Sequence, residues 1–145
     1  MKAKEYLRQL EDIDTKTKHK LEEIDSLKAL ASSITACSDG ERVQASMSGD
    51  KIPKIVAKYV DMENKINEQI DGYIDLRHKI IDEIHNLNNG LYIKILFKRY
   101  VEFKSLEEIA VETGYSYQHI RRQHGYALLE FQKVIDKNLL QNATK

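Results

Sequence analysis

The stretch Ser105–Arg122, SLEEIAVETGYSYQHIRR, decides how the chain folds. Ser105 suits a helix N-cap, because its hydroxyl can accept an otherwise unpaired backbone N–H, and Glu108 three residues on can return the contact to the cap. Leu106, Ile109 and Ala110 then fall on one face of the short helix that starts there. Gly114 follows where a chain leaving a helix commonly turns through the left-handed region, which only glycine enters without steric cost. Ser116 can cap a second helix, with Ile120 turned inward and Tyr117, Gln118, Arg121 and Arg122 outward. The small Ala110 lets the two helices cross closely. Two helices in this register predict a helix-turn-helix, the arrangement in which the second helix lies in the major groove of duplex DNA.

The outward residues have the chemistry such a groove requires. Arg can grip guanine through two hydrogen bonds, Gln can do the same to adenine, and Tyr, Ser and His can reach phosphates or thymine methyls. The expected contact set is Ser116, Tyr117, Gln118, Arg121 and Arg122, with His119 and Lys104 toward the backbone. The bland alternative is a surface helical hairpin whose polar face is simply solvated. Charge gives only local support: Lys+Arg and Asp+Glu both total 23, so the formal net charge is zero, whereas non-specific DNA binding depends on neutralising phosphates. Between Leu91 and Val134 the basic residues modestly outnumber the acidic ones, which predicts weak binding by a single copy.

From about Leu91 to Val134 the chain resembles region 4 of the primary bacterial sigma factors. The resemblance is carried by RYVEFKSLEEIAVETGYSYQHIRRQHGYALLEF, in which Arg99, Tyr100, Ser105, Glu107, Glu108, Ile109, Ala110, Gly114, Ser116, Ile120, Arg121, Ala127 and Leu128 meet that family's pattern. Thr113 departs from it, standing where the family usually has a leucine before the glycine. The whole chain, with its long helical first half, is similar to small phage-encoded transcriptional regulators of the RinA and ArpU type. That resemblance implies a phage or prophage regulator of transcription in a bacterial cytoplasm. It also implies a mechanism in which host RNA polymerase is recruited to promoters.

Outward from this module, the first half reads as two long helices. Tyr6, Leu10, Ile13, Ile24, Leu27, Ala31 and Ile34 recur at spacings of three and four, interrupted by Thr17 and Lys20. So narrow a seam on so long a helix needs a partner helix. Ala36–Asp50, ACSDGERVQASMSGD, has no period and reads as a flexible loop. Pro53 suits the first turn of a second helix, which carries Val56, Tyr59, Ile66, Ile70, Tyr73, Ile80, Ile84 and Leu87 to about Leu87. Gly72 within it marks a bend or a close crossing. Asn86–Gly90 then reads as a helix end and turn, Leu91–Tyr100 as a short apolar helix, and Phe103 as a buried plug in the connection. The expected architecture is all-α: residues 1–87 as a helical hairpin or coiled coil for assembly, and residues 88–145 as the helix-turn-helix domain. The two long segments can pair within the chain or between two copies, and pairing between copies predicts a homodimer.

Other classes have little support. The single cysteine, Cys37, has no internal partner, the charged start MKAKEYLRQLEDID lacks the apolar core of a signal peptide, and no apolar run reaches membrane-spanning length, so a cytoplasmic protein is expected. No phosphate-binding glycine loop and no activated nucleophile occur, so no enzymatic activity and no cofactor are expected. His78, Asp82 and His85 share a helical face, but without further ligands they read as solvated rather than metal-binding. Two alternatives of other classes fit the same pattern: a DNA-packaging protein like a small terminase subunit, and a coiled-coil adaptor that binds no DNA.

Overall fold

Helix boundaries follow the punctuation of the sequence. The computed structural model describes residues 2–37 and 51–143, with side chains over 2–33 and 53–141. Among these residues the regular structure is helical, in the order α1 (Ala3–Cys37), α2 (Lys51–His85), α3 (Gly90–Tyr100), α4 (Leu106–Thr113) and α5 (Tyr117–Ala143). Pro53 lies in the first turn of α2, where its missing N–H leaves no hydrogen bond unmade. Asn89 caps α3, its Oδ1 accepting the Leu91 N–H at 2.9 Å. The loop expected over 36–50 lies, beyond Cys37, outside the described residues. At the other end α5 runs through Gln141 to Ala143.

The chain forms two compact units, one of Asp14–Gly72 and one of Met1–Ile13 with Tyr73–Lys145. In the first, the middle of α1 lies beside the first half of α2 in the same chain. Ile24, Ala31 and Ile66 are buried there, and the Lys28 ammonium pairs with Glu63 while lying 5.7 Å from the centre of the Tyr59 ring. The ion pair is partly exposed and contributes little, so burial of the apolar seam provides most of the pairing energy. Gly72 is exposed, and a Cβ added there would meet open space, so among the described residues no helix crosses closely at that point.

In the second unit, α3, α4 and α5 pack with the first turns of α1 and the last turns of α2. The larger core joins Leu7 and Leu10 of α1, Ile80 and Ile84 of α2, Leu96 of α3 and Phe131 of α5, all fully buried. Each such side chain stabilises the fold by roughly 1.5–3 kcal/mol. The Tyr6 ring stacks on Phe131 at 6.3 Å between centroids, and Gln132 Oε1 accepts the Ala3 N–H at 2.6 Å, which ties the start of α1 to α5. A smaller core of Ile95, Ile109, Ala110 and Ile120 sits beneath α4. Phe103, expected as a plug, is half-buried against the larger core and holds a left-handed φ of 57° that a β-carbon disfavours.

One buried acid breaks the apolar pattern. Glu83 is 6 % exposed; its Oε1 accepts from the Asn138 side chain at 3.2 Å, while its Oε2 and the Tyr6 hydroxyl have no well-formed hydrogen bond among the described residues. Burial, reinforced by the Glu83 carboxylate, raises the Tyr6 phenol well above its usual pKa, so it stays protonated.

Two substitutions test this packing by chemical denaturation. Phe131→Ala empties the centre of the larger core and is expected to cost about 3–5 kcal/mol. Gly125 is exposed within α5 with open space at its Cβ position. Gly125→Ala is therefore expected to raise stability by about 0.5–1 kcal/mol through reduced backbone entropy of the unfolded chain.

Candidate functional site

The site is built where α3 ends, α4 turns and α5 begins. Ser105 caps α4: its Oγ accepts the Glu108 N–H at 3.2 Å, and its own N–H donates to Glu108 Oε2 at 2.7 Å. These contacts favour the charged carboxylate and lower the Glu108 pKa. Gly114 ends α4 at φ 73°, ψ 14°, the left-handed conformation the turn requires. Beside it the Thr113 hydroxyl donates to the Ile109 carbonyl at 2.6 Å, so the polar group that stands in place of a leucine is satisfied by its own helix. Ser116 starts α5, its Oγ accepting the His119 N–H at 3.2 Å.

Ile120 fixes the rotation of α5. It is fully buried against Ile95, Ile109 and Ala110, and one and two turns further on His124 and Ala127 continue the inward face. The helical period turns Gln118, Arg121 and Arg122 away from that face, and Ser116 and Tyr117, at the open start of the helix, are exposed as well. Tyr117 and Arg121 stand one turn apart, as do Gln118 and Arg122, forming two adjacent columns of hydrogen-bond donors. His119 is half-buried, its ring stacked on Tyr115 at 4.9 Å.

Lys104 stands apart from this display. Its ammonium is 2.6 Å from Glu112 and 3.0 Å from Glu102, and Lys98 bridges the same carboxylates at 2.5 and 3.7 Å. Hydrogen bonds that Lys104 donates to Glu112 and then to Glu102 raise its pKa, and the two lysines in turn lower that of Glu112. This square of charges latches the end of α3 and its loop to the last turn of α4. Lys104 thus carries a charge already shared with two acids.

Behind the display lies a contact that sequence spacing gave no means to find. The Tyr100 hydroxyl and His124 Nε2, 24 residues apart, are 3.0 Å from each other with their rings stacked at 5.8 Å. Burial, and then the nearby Arg99 and Lys4 cations, pull the His124 pKa down from 6.5 to about 4.

The arrangement supplies donors and cations for binding. His78, Asp82 and His85 are exposed on α2, and among the described residues no group of three or more His, Cys, Asp or Glu side chains is placed to hold a metal ion. No helix among those residues is long and apolar enough to cross a membrane.

The neutral His124 gives a pH signature. Its folded pKa of about 4 lies below the unfolded 6.5, so as pH falls the unfolded chain takes up the proton first. The stabilisation is complete above pH 6.5 and is lost progressively down to about 4. His124→Gln removes that dependence, so its thermal midpoint is expected to lie below the wild type near pH 7 by more than it does near pH 4.5. A gap that stays constant across this range contradicts a neutral His124.

Comparison with family models, curated proteins and solved structures finds no match to this chain.

Proposed function

We propose that the chain is a sequence-specific double-stranded-DNA-binding regulator of transcription that uses α4 and α5 as a helix-turn-helix. The observation that carries this reading is the first two turns of α5: Ile120 is fully buried, while Tyr117, Gln118, Arg121 and Arg122 are exposed. In this reading Arg121, Arg122 and Gln118 address base edges, with Tyr117 at the groove wall. Ser116 and His119, at the capped start of the helix, serve the backbone. Lys104 contributes less to phosphate binding than an unpaired lysine, because Glu102 and Glu112 share its charge.

The resemblance to sigma factor region 4 supports a promoter as the target and host RNA polymerase as the protein partner, in the manner of a small phage regulator. Assembly of two copies would offset the neutral net charge by placing two recognition helices on half-sites about 34 Å apart. Leu21, Leu30 and Val60 leave apolar surface exposed on the long helices for such pairing. Sedimentation at DNA-binding concentrations is expected to show a dimer, and a monomer there removes this part of the proposal.

Selection of bound sequences from a random duplex pool tests the function. The wild type is expected to enrich a defined motif and Arg121→Ala/Arg122→Ala to lose it. Arg121→Ala alone is expected to cost about 1–3 kcal/mol at one base pair if it grips guanine through two hydrogen bonds. Enrichment of the same motif by the double variant refutes the assigned contacts.

A further inference from the structure

We propose that the cleft bounded by the first turns of α1, the end of α3 and the start of α5 seats a phosphate of the DNA backbone, making Lys4 and Arg8 of α1 part of the nucleic-acid interface. This extends the DNA-binding reading above and rests on it. The cleft measures about 420 Å³, and four cationic side chains line it, Lys4, Arg8, Arg99 and Arg121, against one carboxylate, Glu107.

The cations are held there by packing. Ala3, Leu7 and Leu10 bury one side of α1 in the larger core, which leaves Lys4 and Arg8, one turn apart, exposed on the other. Arg99 is aimed by a hydrogen bond from its guanidinium to the Lys104 carbonyl at 2.9 Å. Lys4, Arg8 and Arg121 make no ion pair with a carboxylate among the described residues. This contrasts with Lys98 and Lys104, each of which has two such partners.

Four like charges converging on a single carboxylate, Glu107, repel one another, and Lys4 also occupies the first turn of a helix, where the dipole disfavours a cation. A placement unfavourable on both counts becomes favourable once an anion sits among the cations. The field of Arg99 and Lys4 is already felt at His124 in the cleft wall, where it adds to the effect of burial in opposing protonation. Tyr117 and Arg121 line the cleft and also belong to the outward face of α5, so an anion held here is continuous with a duplex lying on that face. A backbone phosphate therefore accounts for the position better than a free phosphate ion, although both share the recognising chemistry.

Duplex binding by the full chain across a range of salt concentrations tests the proposal. Lys4→Ala/Arg8→Ala is expected to weaken all duplexes alike, keep the selected motif, and lower the slope of log affinity against log salt by about 2. Lys133→Ala/Lys137→Ala removes the same charge from a different hollow beside Asn88 and Tyr92 and is expected to keep the wild-type slope. Equal slopes for the wild type and Lys4→Ala/Arg8→Ala, with Arg121→Ala/Arg122→Ala still losing the motif, overturn this inference and leave the DNA reading standing. An equal fall in both lysine–arginine and lysine–lysine variants makes the effect one of net charge and overturns it too. A wild type that binds no duplex overturns both. If the duplex slope is unchanged but pyrophosphate shifts the His124 ring resonances in the wild type alone, the cleft belongs to a free phosphate ligand instead.

Discussion

Burial of Ile120 is the constraint on which the rest of the site depends. Exposed side chains point in fixed directions only if the rotation of their helix is fixed, and at the start of α5 that rotation is set by Ile120, locked among Ile95, Ile109 and Ala110. Rotating α5 by one residue, about 100°, would exchange Ile120 for a polar neighbour and drive a charge into an apolar pocket, at a cost no surface contact offsets. The capped start at Ser116 and the left-handed Gly114 fix where the helix begins, and Ile120 fixes how it is turned. With origin and rotation both set, the positions of Tyr117, Gln118, Arg121 and Arg122 follow from helical geometry alone.

The same helix does a second job further along. Ala127, Phe131 and Ile135 continue the inward face into the larger core, where they meet α1, α2 and α3. The polar display therefore stands on an element anchored in both cores of its unit. The start of α1 is fixed to the same helix: the Ala3 N–H bonds to Gln132 and Tyr6 stacks on Phe131, so the turn that carries Lys4 and Arg8 is held against α5. Rigid support of this kind lowers the ordering cost of binding.

Local features were legible in the sequence wherever one residue type determines a backbone state. The Ser105–Glu108 capping box, the Gly114 turn, Pro53 in a first turn and the punctuation at Asn86–Gly90 each specify their own geometry. The all-helical class followed from the three-and-four periodicity. Features that depend on distant partners were not legible. Glu83 reads as one more acid on a solvent-facing helix, yet Asn138 of α5 reaches it in the interior. Lys104 reads as a free cation, and only the tight path through Phe103 brings it between Glu102 and Glu112. Leu7 lies off the expected seam of α1 because its first turns meet several helices at once, where a two-helix seam assumes one partner. Tyr100 and His124 carry no shared local signal at all.

The most direct measurement of the central claim is a titration of the isotopically labelled chain with a selected duplex, followed by heteronuclear NMR. The account predicts shifts concentrated at Tyr117, Gln118, Arg121 and Arg122, including the arginine side-chain signals, with Ile120 keeping its buried environment and residues 14–72 little changed. Shifts that gather along residues 14–72, or that leave the first two turns of α5 unaffected while binding occurs, would contradict it.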